Sequence, residues 1–277
     1  MTNTLISPQW LHSQLAANPN TIILDASIEF QIPLEPQKDK SGVIPGAQRF
    51  DYDTVFCDPD ATLPHMMPSA ERFSALASDL GIQASSTIVV YDNSGTFASP
   101  RAWWMLKSLG IEKVYVLSGG LPAWKESGYE VDSDYSTPQS SELSQSLDSH
   151  YFLSAEQVLN HAQKRNAHIV DARSLARFKG ETPEPREGVR SGHIPSAVCL
   201  PFAELMEGGT LKPQEELAPL FASISGSKRE HLVFSCGSGV TACILALGAY
   251  ICGYTNLSVY DGSWTEWGQR TDLPLEV

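Results

Sequence analysis

The sequence nearly repeats itself at an offset of about 145 residues, and this duplication constrains the fold more than any other feature. Four landmarks occur in the same order in both halves. The first landmark is a helix that begins at a serine and leads into TIILDAS in the first half and HIVDAR in the second. The other three pairs, each given with the first half before the second, are SGVIPGA with SGHIPSA, IVVYDNSGTFAS with LVFSCGSGVTAC, and VYVLSGGLPAW with LSVYDGSWTEW. The chain is therefore predicted to contain two copies of one structural unit.

Each half alternates short apolar strands with helical segments. In the first half the apolar runs 22–25, 88–91 and 114–117 are separated by helical stretches that end in glycine, as helices commonly do. Apolar strands between helices indicate a mostly parallel sheet with helices on both faces. The predicted fold class is α/β, and ligands are expected at the carboxyl ends of the strands.

A serine-rich stretch separates the two halves. Residues 132–150 contain only three aliphatic or aromatic side chains, Tyr135, Leu143 and Leu147. Such a stretch buries too little apolar surface to offset the conformational entropy that it would lose on becoming ordered. The sequence predicts a domain over 1–134, a linker over 135–149 and a second domain over 150–277.

Composition excludes several classes of protein. Nineteen Lys and Arg against 32 Asp and Glu leave a net charge of −13, which repels the phosphate backbone of nucleic acid. No apolar run approaches the roughly 18 residues that a membrane-spanning helix needs. The first residues lack the basic region and apolar run of a secretory signal, and they are not Arg-rich like a transit peptide. Five scattered cysteines are too few for a disulfide scaffold, so a reduced, cytoplasmic protein is expected.

The two copies differ most at a cysteine. Cys236 follows the strand-like run HLVFS and precedes the helical run ACILALGAYICGY, where the first copy has Asp92. Gly237 and Gly239 allow successive backbone N–H groups to curl around an anion, and the following helix adds its positive end. Both effects stabilise a thiolate. Cys236 is thus predicted to be a nucleophile rather than a structural thiol.

Two other cysteine chemistries fit less well. A phosphatase loop places an arginine six residues after the cysteine, where this chain has Ala242. A papain-like hydrolase requires a histidine base, and neither His193 nor His231 can be assigned to that role from the sequence. No Cys or His spacing matches a zinc site, so no metal is expected.

These residues carry a family resemblance. The tandem halves, SGHIPSA, DGSWTEW and the CGSGVTA loop resemble the two-domain rhodanese superfamily, and CGSGVTA is similar to the 3-mercaptopyruvate sulfurtransferases within it. The resemblance covers almost the whole chain. It implies two rhodanese-like domains, an inactive first copy, and a catalytic second copy in which Cys236 becomes a persulfide. No cofactor is implied.

The resemblance also implies roles for particular residues. In an arginine cluster suited to an α-keto acid, Arg177 and Arg186 would bind the substrate carboxylate, whereas Arg173 and Arg190 would form structural ion pairs. Asp53, His65 and Ser238 would relay the proton that the leaving group requires. The loop backbone would hold the transferred sulfur through Gly237, Gly239, Val240 and Thr241.

The predicted reaction moves sulfur from 3-mercaptopyruvate through Cys236 to an acceptor and releases pyruvate. The acceptor would be cyanide or a thiol, and the resemblance implies a small thiol or thioredoxin. A monomer that binds neither nucleic acid nor membrane is expected. Two alternatives stay open, a thiosulfate:cyanide sulfurtransferase and a non-catalytic persulfide carrier. Thiosulfate-using relatives typically have two basic residues where this chain has Gly237 and Ser238, which favours a less anionic donor.

Overall fold

The computed structural model describes residues 4–18 and 20–277. It divides into two compact units. The first consists of residues up to 59, 67–148 and 207–211, and the second of 60–66, 149–206 and 212–277. Each unit contains a five-stranded sheet in which all neighbouring strands are parallel. The predicted α/β class, with two sheets flanked by helices, is confirmed.

The elements of the first unit follow the alternation of the sequence. Its strands are β1 (Leu5–Ile6), β2 (Ile22–Asp25), β3 (Ala47–Arg49), β4 (Thr87–Tyr91) and β5 (Lys113–Leu117). Its helices are α1 (Pro8–Ala17), α2 (Ala70–Asp79), α3 (Ser99–Ser108) and α4 (Gly120–Glu126). The strand order is β1-β5-β4-β2-β3.

The second unit repeats this arrangement. A separate two-stranded sheet of β9 (Met206–Glu207) and β10 (Thr210–Leu211) falls mostly in the segment 207–211, which belongs to the first unit. The five strands of the second unit are β6 (Phe152–Leu153), β7 (His168–Asp171), β8 (Val198–Cys199), β11 (Leu232–Ser235) and β12 (Leu257–Tyr260). Its helices are α5 (Ala155–Lys164), α6 (Leu175–Phe178), α7 (Gln214–Ala222), α8 (Ala242–Ile251) and α9 (Ser263–Gln269), with a 3₁₀ turn over Phe202–Leu205. The five-stranded order, β6-β12-β11-β7-β8, matches that of the first unit position by position.

Local sequence explains where the helices begin. Ser7 accepts a hydrogen bond from the Trp10 N–H at the start of α1. At the start of α5, Ser154 and Gln157 form the reciprocal capping box that their spacing predicts. Helix α8 is apolar almost all round because it packs against β11, β12 and α7, and eight of its ten residues are buried. These contacts fix the helix that follows Cys236.

The predicted linker follows a defined course along the first unit. Residues 135–148 form neither helix nor strand. The Ser141 N–H donates to the Ser78 carbonyl (2.8 Å), the Ser74 hydroxyl to the Gln145 carbonyl (3.1 Å), and the Asp148 N–H to the Ser108 carbonyl (2.9 Å). Hydrogen bonds to the backbone of this stretch therefore order it without much apolar burial. Within the described residues, no helix is long and apolar enough to cross a membrane.

Three histidine rings pack together beside the start of β11, His150 stacked on His231 and His161 edge-on to it. The His231 ring lies 5.1 Å from that of His150 and 4.9 Å from that of His161, and its Nε2 donates to the Ser258 hydroxyl, which itself donates to the His150 carbonyl. Burial, aided by repulsion from His161 and His150, lowers the pKa of His231 to about 4. His231 is therefore neutral in the folded chain at pH 7.

This histidine makes the free energy of unfolding depend on pH. Between its ordinary pKa and about 4, the unfolded chain binds a proton that the folded chain does not, so stability decreases as pH falls through that window. Because the ring is partly exposed, we expect a loss of about 1–2 kcal/mol from this residue. Urea unfolding at neutral and mildly acidic pH should show a smaller loss in His231→Gln than in wild type. An equal loss in both would contradict this assignment, and the exposed His12→Gln serves as control.

Candidate active site

Cys236 lies at the carboxyl end of a central strand. It directly follows β11, and six residues later the chain enters α8. The thiol is buried, and the Gly239 N–H donates to its sulfur at 3.1 Å. Gly239 has a φ of 78°, in the left-handed region that favours glycine, and this conformation turns its N–H toward the sulfur. The predicted strand-to-helix turn around the thiol is confirmed.

The first turn of α9 holds the cysteine loop from behind. The Cys236 N–H donates to the Ser263 hydroxyl (3.1 Å), and the Cys236 carbonyl accepts from the Trp264 N–H (2.9 Å). The Gly237 carbonyl accepts from both the N–H (2.9 Å) and the hydroxyl (2.6 Å) of Thr265. The sequence marked DGSWTEW as a repeat landmark but not as the support of the loop. The signal that could have indicated this role is that DGSWTEW follows the end of a strand.

The equivalent loop of the first unit closes around its own carboxylate. Asp92 is fully buried and accepts seven hydrogen bonds, five from the N–H groups and two from the hydroxyls of residues 94–99. The Gly95 N–H reaches Asp92 at 3.0 Å, as the Gly239 N–H reaches Cys236 in the second unit. Burial raises the pKa of Asp92, and hydrogen bonds from Ser99 and Ala98 oppose that rise. Because seven donors converge on one side chain, the loop forms a cradle for a hydrogen-bond acceptor.

An arginine pair lies beside the cysteine loop and shares one acid. A Cβ added to Gly237 would lie 3.6 Å from Nη2 of Arg177. The Arg177 guanidinium binds both carboxylate oxygens of Glu184, one through Nε at 3.1 Å and the other through Nη2. Glu184 also accepts from Arg173 at 2.8 Å. Sequence analysis missed Glu184, because one acid in an acid-rich chain has no distinguishing pattern.

Of the other arginines, Arg173 forms the predicted ion pair and Arg190 does not. Arg173 is buried, pairs with Asp171 and lies 4.3 Å above the Trp264 ring, so its role is structural. Arg186 is exposed and donates to the Thr265 hydroxyl at 3.3 Å. Arg190 was expected to form an ion pair, but its guanidinium binds four backbone carbonyls instead. They belong to Trp267, Gly268, Arg270 and Leu273.

The remaining predicted residues are placed as follows. Ser238 and Val240 are buried, and within the described chain the Ser238 hydroxyl has no hydrogen-bond partner. Thr241 precedes α8 without capping it through its side chain. His65 belongs to the second unit, where it is buried with a φ of 60°. Asp53 belongs to the first unit, where it is half-buried in the turn after β3.

Cys236 differs from the other four cysteines in its surroundings. All five are free thiols. Burial raises the pKa of Cys57, that of Cys199 to about 12 and that of Cys252 to about 11, which keeps these thiols protonated near pH 7. Cys243 is buried on α8 and donates to the Gly239 carbonyl at 3.3 Å. In the part of the chain that the structure describes, no group of three His, Cys, Asp or Glu side chains is arranged to hold a metal.

Known proteins match this chain over nearly its full length. The family model described as Rhodanese-like domain matches residues 7–127 and again 154–270. The Arabidopsis thaliana protein named thiosulfate/3-mercaptopyruvate sulfurtransferase 1, mitochondrial, is 41% identical over 98% of this chain and 78% of its own length. The 3-mercaptopyruvate sulfurtransferase of Escherichia coli (strain K12) is 36% identical over 99% of this chain and 98% of its own.

A solved structure agrees with these sequence matches. The crystal structure of SseA from Escherichia coli, a 3-mercaptopyruvate sulfotransferase, superposes with a TM-score of 0.81 at 33% identity. The superposition covers 95% of this chain and 99% of that one. The similarity therefore extends across both units.

Proposed function

Since the chain belongs to the rhodanese-like family and is a tandem-domain sulfurtransferase, we propose that its donor is 3-mercaptopyruvate. The observation that carries this proposal is the neutral loop beside Cys236. Gly237 and Ser238 carry no cation in the loop itself, while Arg177 lies beside Gly237 and Arg186 donates to Thr265, which binds the Gly237 carbonyl. That arrangement suits a donor whose only full charge is a carboxylate some bonds away from its sulfur.

The proposed reaction has two half-reactions. The Cys236 thiolate attacks the donor sulfur, the carbon–sulfur bond breaks, and its electron pair leaves as the enolate of pyruvate. A proton then converts the enolate to pyruvate, and we assign its delivery to Ser238, His65 and Asp53. In the second half-reaction an acceptor thiolate attacks the outer sulfur and regenerates the Cys236 thiolate. The acceptor would be a small thiol or thioredoxin, with cyanide as its substitute in an assay.

The Asp92 side chain of the first unit has as many atoms from Cβ to its end as a cysteine persulfide, so its contacts indicate how the loop of the second unit would hold the persulfide. In Asp92 the chain Cβ–Cγ–Oδ2 ends in a hydrogen-bond acceptor, as Cβ–Sγ–S does in a cysteine persulfide. Oδ2 accepts from the N–H groups of Phe97 (3.0 Å) and Ala98 (2.9 Å). Their counterparts in the duplicated loop are Thr241 and Ala242. We therefore assign the stabilisation of the outer sulfur to the N–H groups of these two residues and of Gly239.

We propose that the protein is located in the cytoplasm. The sparing use of cysteine favours the cytoplasm, and the Arabidopsis relative is named as mitochondrial. None of the five cysteines is paired in a disulfide within the described residues, so cysteine pairing does not distinguish the two compartments.

Removing either carboxylate-binding arginine should impair use of 3-mercaptopyruvate. Arg177→Ala or Arg186→Ala removes charge-assisted hydrogen bonds of about 1.5–3 kcal/mol, which corresponds to roughly 10- to 150-fold in kcat/KM. Pyruvate release under steady-state conditions measures the loss. Lys179→Ala removes an exposed cation from the same segment and should leave kcat/KM near wild type. Wild-type efficiency in both arginine variants would contradict the carboxylate assignment.

The choice of donor should follow the charge of the loop. Thiosulfate is a dianion that must approach an anionic Cys236, and each pair of unit charges at about 4 Å contributes on the order of 4 kcal/mol at an effective dielectric of about 20, before screening. We expect wild type to prefer 3-mercaptopyruvate. We expect Gly237→Arg with Ser238→Lys to move the ratio of the two kcat/KM values toward thiosulfate by at least about tenfold.

The structure supplies the control for that test. Gly237 does not have a positive φ, and an added Cβ would make only an ordinary contact with Arg177, so the backbone itself does not require glycine at this position. Gly237→Gln with Ser238→Gln adds similar bulk without charge. An unchanged donor ratio in the folded cationic variant would show that loop charge does not set donor specificity. A wild type that prefers thiosulfate would show the same and would favour the thiosulfate:cyanide alternative. A single sulfur loading without turnover on a simple thiol would favour the carrier.

A further inference from the structure

Two Lys-Arg pairs precede neighbouring strands of the second unit. Lys164-Arg165 lies before β7 and Lys228-Arg229 before β11, and these strands pair with His168 opposite Leu232. The equivalent positions of the first copy, 18–21 and 83–86, read NPNT and QASS and carry no charge. The fold therefore does not require these cations. Four of the 19 Lys and Arg of a chain with net charge −13 gather at this edge of the sheet.

A cavity opens at the same edge. Its volume is about 730 Å³, within the range of small-molecule sites. Arg165 and Arg229 both line it, together with Asn166, His168, His231 and Asn256. The cavity lies before the start of β11, whereas Cys236 follows its end, so about 13 Å of strand separates the two. A ligand here would not contact the sulfur chemistry.

The backbone of both arginines is held by hydrogen bonds, and their side chains lack acidic partners. Arg165 ends α5 in the left-handed conformation, with its N–H donating to the His161 carbonyl at 2.9 Å. The Arg229 carbonyl accepts from the Asn256 side chain at 3.4 Å. Among the described residues, neither guanidinium forms an ion pair or a hydrogen bond. By contrast, Arg173, Arg177 and Arg270 of the same unit all bind carboxylates.

The one acid that lines the cavity is already bound. Glu230 accepts from the Ser225 hydroxyl at 2.6 Å and lies 3.1 Å from Nε2 of His168. These hydrogen bonds lower the pKa of Glu230, Ser225 contributing most. Both guanidinium groups therefore remain available to an anion from solution, and each can bind it bidentately.

We propose that this cavity binds a small dianion of the phosphate class, either free or carried as a monoester by a small organic group. Two guanidinium groups match the charge of a dianion. The volume leaves room for an organic substituent beside the wall formed by Ile169 and Val198. The site is separate from the proposed sulfur-transfer site and does not depend on which sulfur donor the protein uses.

Calorimetric titration of the full chain tests the proposal, with inorganic phosphate and phenyl phosphate as probes at constant ionic strength. We expect saturable binding in wild type, weakened at least about fivefold in Arg165→Gln and in Arg229→Gln and lost in the double variant. Tighter binding of phenyl phosphate would identify a monoester site, and equal binding an oxyanion site. The matched control is Lys164→Gln, which removes the same charge from a residue outside the cavity and should change affinity less than about twofold.

Three results would overturn the proposal. They are no saturable binding in wild type, full binding in the double variant, and an equal loss in the Lys164→Gln control, which would indicate diffuse attraction. Sulfur transfer without the probes should be unchanged in every variant, and this reports folding. A measurement on wild type alone guards against misfolded variants: phosphate should protect Arg165 and Arg229 from phenylglyoxal, as mapped by mass spectrometry. Absence of protection would also overturn it.

Discussion

Cys236→Ser should reduce pyruvate release from 3-mercaptopyruvate by at least about a thousandfold. A serine hydroxyl is not ionised near neutral pH and does not accept sulfur from a thiol donor, whereas the Cys236 sulfur receives the Gly239 N–H at the positive end of α8. The substitution changes one atom in a loop held by Ser263 and Thr265 through backbone groups, so the fold should be retained. Steady-state pyruvate assays with both proteins measure the effect.

The control for this experiment is Cys199→Ser. Burial raises the pKa of Cys199 to about 12, so this thiol is protonated and should not take part. We expect the Cys199→Ser variant to keep wild-type activity. Substantial activity in Cys236→Ser, or its loss in a folded Cys199→Ser, would show that the nucleophile is misassigned.

Asp92→Ala should destabilise the first unit by about 3–5 kcal/mol. The substitution leaves five buried N–H groups without the carboxylate that they share, and each unsatisfied buried donor is costly. Asp92→Asn retains one carbonyl oxygen but turns an NH₂ group toward donors, so we expect an intermediate loss. Urea unfolding followed by circular dichroism measures both variants.

The control for Asp92 is Asp79→Ala. Asp79 is an exposed acid in the last turn of α2, and its removal should change the free energy of unfolding by less than about 0.5 kcal/mol. A folded Asp92→Ala protein as stable as the control would contradict the view that the first loop is a cradle filled by its own side chain. That result would also remove the basis for assigning Thr241 and Ala242 to the outer sulfur.

The sequence predicted the parts of the site that are formed by residues adjacent in the chain. The run HLVFS, the glycines at 237 and 239 and the apolar helix after them are adjacent in the chain, and together they place Cys236 at a strand-to-helix turn. The duplication added a check, because both sheets must then share one strand order. Propensity and periodicity carry this kind of information well.

Contacts between distant segments were not predictable in the same way. Thr265 reaches the Gly237 carbonyl across 28 positions, and Arg186 reaches Thr265 across 79. Glu184 binds two arginines that the sequence could not connect to it. The second unit also includes residues 60–66, which lie within the sequence of the first copy. Such contacts depend on packing in three dimensions, which no local pattern encodes.

Mass mapping of the chain after incubation with 3-mercaptopyruvate tests the central claim most directly. The protein is digested without reductant, and every cysteine-containing peptide is weighed. We expect one additional sulfur atom on the peptide that contains Cys236, none on the peptides of Cys57, Cys199, Cys243 and Cys252, and loss of that atom when a thiol acceptor is added. Release of pyruvate while Cys236 remains unmodified, or sulfur loading at another cysteine, would contradict the account.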